Sequence, residues 1–257
     1  MQNYNRSSIA DNGALSLMHS LNHVLEVGTP YKIFESYISS YSKYIDFIKF
    51  GWGSALIDPD FNLKKQLCDR FNIKPLLGGT FFEYMIHHHD FSCFVEKVNS
   101  FGLDCVELSR GTLDIDDSLY ASYIRTLSHD FFVMSEIGRK SSDPSLALTS
   151  AQWVSHCELS ADAGASLLIL ESRESGRSGY VSTDGDVNAV IIDSITNIIP
   201  VESLLFEAPI KSVQAFLIKR YGTLVNLGNL ALPDLLSVQS LRLGLRSDTL
   251  LDVHVGL

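Results

Sequence analysis

Leu167-Leu168-Ile169-Leu170-Glu171 is an apolar run that ends in a carboxylate and gives way to a loop. Three other stretches read alike: Asp104-Cys105-Val106-Glu107, Phe132-Val133-Met134-Ser135-Glu136 and Leu204-Leu205-Phe206-Glu207. Near-continuous hydrophobics, as opposed to strict alternation, mark strands buried on both faces of a parallel sheet. A carboxylate at the C-terminal end of such a strand lies where α/β barrels keep their chemistry. One such glutamate is unremarkable on a surface. Four on successive strands would converge on one space, and that pattern predicts an enzyme that holds a hard cation.

Working outward, strand-like runs fall at 23–28, 45–52, 73–80, 105–111, 131–138, 166–174, 203–209 and 223–229. Helical periodicity between them predicts helices at 31–44, 61–71, 91–101, 118–129, 150–164, 211–221 and 233–243. Phe101-Gly102, Ala163-Gly164-Ala165 and Tyr221-Gly222 supply stop signals for three of these. Repeated β-then-α units without a composition break predict a single-domain (β/α)8 TIM-type barrel over residues 16–257. A doubly wound open sheet is the competing arrangement, but no glycine-rich dinucleotide fingerprint follows the first strand. Residues 1–15 are polar and are expected to form a frayed, flexible N-terminus. The long connection at 172–186, with three glycines, reads either as a lid or as a solvated excursion.

The 257-residue chain is 46% hydrophobic and carries a formal net charge of −10. That charge disfavours nonspecific binding to nucleic acid or anionic lipid, and no basic run offsets it. Cys68, Cys93, Cys105 and Cys157 are isolated, which argues against a disulfide framework or a thiolate zinc site. With no leading signal and no long apolar span, a soluble cytoplasmic protein is expected.

Three sets of residues are candidates for chemistry. Glu107, Glu136 and Glu171 are candidate Mg2+ ligands, since Mg2+ takes one or two carboxylates together with waters and substrate oxygens; the spacing singles out none of the three. Lys49, Lys140, Arg173, Lys211 and Arg246 are cations suited to an anionic substrate, and a lysine can also serve as acid or base. Lys49 stands out because Phe47-Ile48-Lys49-Phe50 encloses it in apolar sequence, so it is expected to have an anionic partner. Gly51-Trp52-Gly53 and Gly78-Gly79-Thr80 bring backbone N–H groups close to an anion. His87-His88-His89 reads as a solvated tract at the start of a helix, because adjacent helical residues do not share a face.

Several of these stretches together resemble the phosphosulfolactate synthase family. They are Lys49-Phe50-Gly51-Trp52-Gly53, Gly78-Gly79-Thr80-Phe81-Phe82-Glu83, Glu136-Ile137-Gly138-Arg139-Lys140, Glu171-Ser172-Arg173-Glu174-Ser175-Gly176, Phe206-Glu207-Ala208-Pro209-Ile210-Lys211, Val225-Asn226-Leu227-Gly228-Asn229 and Leu241-Arg242-Leu243-Gly244-Leu245-Arg246. The resemblance implies a TIM-type barrel, usually a homo-oligomer, that adds sulfite to phosphoenolpyruvate with Mg2+. It implies Lys140 as proton donor to C2 and Arg173 and Arg246 as holders of phosphate or sulfite. Plant heat-stress-associated proteins share the fold, so a non-catalytic protein is an alternative. The chain departs from the family pattern at Glu26-Val27-Gly28, where a lysine is missing, and at Ser109-Arg110-Gly111-Thr112, where an acid has become arginine. Either Arg110 replaces the lost cation, or the pocket takes another nucleophile or acceptor.

Overall fold

The computed structural model describes residues 20–140, 147–172 and 175–254. Eight strands alternate with helices: β1 (Asn22–Glu26), β2 (Phe47–Phe50), β3 (Lys74–Leu77), β4 (Cys105–Leu108), β5 (Phe132–Ile137), β6 (Leu167–Leu170), β7 (Leu204–Glu207) and β8 (Leu227–Leu230). The main helices are α1 (Tyr31–Tyr41), α2 (Phe61–Arg70), α3 (Gly79–His88), α4 (Phe91–Ser100), α5 (Asp117–Leu127), α6 (Ser150–Asp162), α7 (Ala189–Thr196), α8 (Lys211–Tyr221) and α9 (Leu235–Arg242). All ladders between named strands are parallel, in the order β3-β2-β1-β8-β7-β6-β5-β4. β3 and β4 face each other across the remaining seam, so the sheet is a nearly closed (β/α)8 barrel. The expected N-terminal extension, residues 1–15, lies outside the described residues.

Two apolar layers form because successive strand side chains point to opposite faces. The outward set packs under the helices and includes Val24, Ile48, Val106, Val133, Leu168 and Phe206. The inward set plugs the barrel with Phe47, Leu76, Cys105, Met134, Leu167, Ile169 and Leu205. Two residues further along the same strands, the period of two puts Lys49, Glu107, Glu136, Glu171 and Glu207 above that plug, facing inward. A barrel interior filled in layers leaves its chemistry at the C-terminal rim for this reason.

Two expectations need correction. The run at 73–80 is a strand only as far as Leu77, because Gly79 and Thr80 open α3. Glycine's poor helix propensity conceals that start in the sequence. In consequence the histidine tract ends α3, exposed, and does not begin a helix. The helix α7 was not singled out by periodicity, while the stop signals at 101–102, 163–165 and 221–222 fall at the ends of α4, α6 and α8.

The connection at 172–186 is packed inward for part of its length. Tyr180 is fully buried, its hydroxyl donates to the Glu207 carbonyl, and its N–H donates to Glu171 O at 3.2 Å. At Gly179 (φ +62°) a Cβ would come within 1.8 Å of Glu171 O, so only glycine lets the loop pass this close to β6.

Candidate active site

At the C-terminal rim a cavity of about 260 Å³ is lined by Lys49, Glu107, Glu136, Lys140, Glu171 and Glu207, with Gly78–Thr80, Trp52, Thr112 and Asn229 around its mouth. Lys49 Nζ lies 3.1 Å from Glu207 Oε1 and 3.3 Å from Glu107 Oε2, so the buried lysine has the anionic partners its sequence context demanded. Lys140 Nζ lies 2.9 Å from Glu136 Oε1, 3.2 Å from Glu83 Oε2 and 3.2 Å from Thr80 Oγ1. Ser109 donates to Glu136 Oε1 at 2.6 Å, and the Gly79 N–H donates to Glu107 Oε1 at 2.6 Å. The barrel floor beneath is closed by His23, whose Nδ1 accepts weakly from the Asn229 N–H at 3.5 Å. Its Nε2 is left to carry the hydrogen and lies 3.7 Å from Glu107 Oε2.

Local backbone makes room for these side chains. A Cβ at Gly138 (φ +144°) would come within 2.4 Å of Glu171 Cβ, and one at Gly111 within 2.8 Å of Lys140 Cγ.

Burial and mutual repulsion divide the carboxylates. Burial pushes Glu107 up to about 7, against the pull of Lys49. Burial raises Glu171 well above the carboxylate range, and the charges of Glu136 and Glu207 push it further. Burial alone would raise Glu136 too, but Lys140 and Lys49, with hydrogen bonds from Glu171 and Ser109, hold it down to about 2. Glu171 is thus a neutral acid donating to an ionised Glu136, the usual outcome when like charges share a dry site. Both lysines stay charged: desolvation opposes it, and the surrounding glutamates overcome it. His23 is pushed well below its ordinary range by burial and by Lys49, and is neutral.

The donor set suits a hard cation. Glutamates outnumber lysines here, every potential ligand atom is oxygen, and Asn229 Oδ1 is buried with no hydrogen-bond donor among the described residues. No group of three or more His, Cys, Asp or Glu stands ready to chelate among the described residues. Mg2+ does not require one, since it completes its shell with water and substrate.

Of the residues singled out from sequence, the structure brings together Glu107, Glu136, Glu171, Lys49, Lys140, Gly79 and Thr80. It does not bring Lys211, Arg246 or Arg110 to the cavity wall. Lys211 pairs with Asp248 at 3.1 Å, and Arg246 bonds Ser237 and faces Asp248. Arg110 turns onto the outer layer, paired with Asp117 and 4.8 Å above the Tyr120 ring. Arg173 lies outside the described residues. Glu83, His23 and Asn229 were not among the sequence candidates, and Glu207 was expected at the common rim but not as a metal ligand. Glu207 belongs to the same strand-end pattern as the other three glutamates. Glu83 had a subtler signal, an acid inside the apolar stretch Phe81-Phe82-Glu83-Tyr84-Met85.

Among the described residues no helix is long and apolar enough to cross a membrane. The profile of the family "(2R)-phospho-3-sulfolactate synthase (ComA)" matches residues 17–248. The phosphosulfolactate synthase of Bacillus subtilis (strain 168) is 37% identical over 227 residues, covering 88% of this chain and 90% of its own. That of Methanocaldococcus jannaschii is 37% identical over 233 residues, covering 89% and 93%. Among solved structures, the HMG-CoA lyase of Bacillus subtilis superposes with a TM-score of 0.58 at 11% identity, covering 88% of this chain and 87% of the other. 3-Keto-L-gulonate-6-phosphate decarboxylase from Vibrio cholerae does so at 0.56 and 10%, covering 88% and 98%. These two likenesses show the barrel fold alone. The family match and the two curated relatives carry the assignment: this chain belongs to the phosphosulfolactate synthase family and is an enzyme of that type.

Proposed function

We propose that this chain adds sulfite to phosphoenolpyruvate to give phosphosulfolactate, with Mg2+ in the rim cavity. The observation that carries the reading is the convergence of Lys49, Lys140 and the strand-end glutamates on one small, largely buried space. Even when paired, buried charges are weak contributors to stability and an apolar core serves a scaffold as well, so a charged cluster of this kind favours a catalytic role.

The sulfur lone pair attacks C3 of the enol phosphate and forms the C–S bond. The C2–C3 π pair moves onto C2 and into the adjoining carboxylate. Lys140, held charged by Glu136 and Glu83, gives a proton to C2 and is recharged from solvent. Lys49 bridges Glu107 and Glu207 and offsets part of their charge, which lowers the repulsion an anionic substrate meets. The first turn of α3, at Gly79 and Thr80, gives its Gly79 N–H to Glu107, and the positive end of the helix dipole adds to the pull on the substrate's anionic groups. One or two of Glu107, Glu136 and Glu171 would hold Mg2+, directly or through water, and the ion when bound supplies Lewis-acid stabilisation of charge building on the substrate carboxylate.

Val27, where the family pattern has a lysine, and Arg110 were the reasons to consider a different nucleophile or acceptor. Arg110 pairs with Asp117 outside the cavity, which leaves the missing lysine at Val27 as the ground for that alternative. The test is consumption of phosphoenolpyruvate by the purified chain with Mg2+. Loss of the enol double bond that requires sulfite supports the proposal, and loss at the same rate without sulfite, or with a thiol in its place, rejects it.

A further inference from the structure

Glu83 lies at the third position after Thr80 on α3 and is 4% exposed. Its Oε1 accepts the N–H groups of Thr112 and Leu113 at 2.6 and 3.0 Å, which fixes the β4–α5 loop. Its Oε2 accepts from Lys140 Nζ at 3.2 Å. The same loop grips Lys140 from the other side, because the Lys140 N–H donates to Gly111 O at 3.0 Å and Gly111 packs on the lysine stem. An ammonium has three hydrogens. Glu136, Glu83 and Thr80 are three acceptors placed within reach of them. Two of these acceptors are buried carboxylates braced by other bonds. The third is a neutral hydroxyl on the cavity wall, the weakest of the three and the one a substrate can displace.

We propose that Glu83 is a positioning residue: with Glu136 it fixes the Lys140 ammonium so that the hydrogen facing Thr80 is the one delivered to C2, and so sets the face on which C2 is protonated. This rests on the reading of Lys140 as proton donor. Fixing a donor in this way raises the rate through orientation, and a misplacement of about 1 Å costs on the order of 10²-fold. It also leaves the other face of C2 without a donor, which ties product configuration to a residue that does not touch the substrate.

Glu83→Gln separates this role from simple support of the loop. An amide has one acceptor oxygen, so the variant holds either the loop N–H groups or Lys140, not both. We expect kcat to fall about 10- to 100-fold with KM for phosphoenolpyruvate within about threefold. The product should also lose configurational purity at C2. A fall through KM alone, with kcat and configuration kept, would assign Glu83 to the loop and overturn the proposal. A second readout needs no turnover: the Lys140 ammonium resonance in a 15N-labelled protein. Slow exchange in wild type that becomes fast in Glu83→Gln is expected, and an unchanged signal rejects the positioning role. Wild type that forms no phosphosulfolactate would sink the proposed reaction instead, while the resonance still decides the geometry.

Discussion

Replacing Glu107 with glutamine tests the electrostatics of the site where they are most strained. Glu107 is 1% exposed, and burial lifts its pKa from 4.5 to about 7. An acid whose folded pKa lies above its unfolded value costs stability as pH rises. The cost begins near the unfolded pKa and is complete above the folded one. At 1.36 kcal/mol per unit, the shift amounts to about 3 kcal/mol across pH 4.5 to 7. Glutamine keeps an oxygen for the Gly79 N–H, and Lys49 keeps Glu207 at 3.1 Å; its NH2 takes the place of Oε2 beside Lys49 and His23, a fixed offset, so the change with pH reports the lost charge. Without metal, Glu107→Gln should gain up to about 3 kcal/mol on wild type between about pH 4.5 and about pH 8. Urea unfolding in chelator, followed through buried Trp153, measures the difference at each pH. Stability curves that stay parallel across that range would refute the reasoning. The same variant should gain less stability from added Mg2+ than wild type, since a ligand stabilises the fold in proportion to its binding.

Lys140→Ala should lower kcat by on the order of 10² to 10⁴ with folding intact, and a loss under about threefold would remove it from the proton transfer. Lys49→Met should destabilise the fold by about 3–5 kcal/mol at neutral pH, because it leaves Glu107 and Glu207 buried without their counter-charge; a melting curve like that of wild type would contradict this. Gly111→Ala should fold and yet lose activity, because its Cβ would meet Lys140 Cγ at 2.8 Å and displace the ammonium; kcat is the parameter to follow. Arg110→Ala should change kcat/KM by less than about threefold, its pairing with Asp117 lying outside the cavity and worth about 1 kcal/mol or less.

The barrel was legible because buried parallel strands write themselves as apolar runs, and the period of two then places Lys49 and the strand-end glutamates in one layer. The glycine-rich turn after β3 was legible as an anion-facing backbone, although its helix was not. Arg110, Lys211 and Arg246 do not reach the cavity wall for a physical reason. Each sits on a loop or helix start, where spacing no longer fixes direction, and each long side chain found an aspartate, Asp117 or Asp248, away from the cavity. Glu83 was obscured by the opposite effect. Its role comes from a helix packing against a loop about 30 residues away, a contact that no local period encodes.

The measurement that bears most directly on the whole account is a product analysis. Purified chain is incubated with phosphoenolpyruvate, sulfite and Mg2+ in D2O, and the product is read by mass and by 31P and 1H NMR. The account predicts phosphosulfolactate with a single deuterium at C2 in one configuration, formed by wild type, abolished by chelator and slowed by on the order of 10² to 10⁴ in Lys140→Ala. Phosphoenolpyruvate left intact under these conditions, or converted to a product without a carbon–sulfur bond, would contradict it.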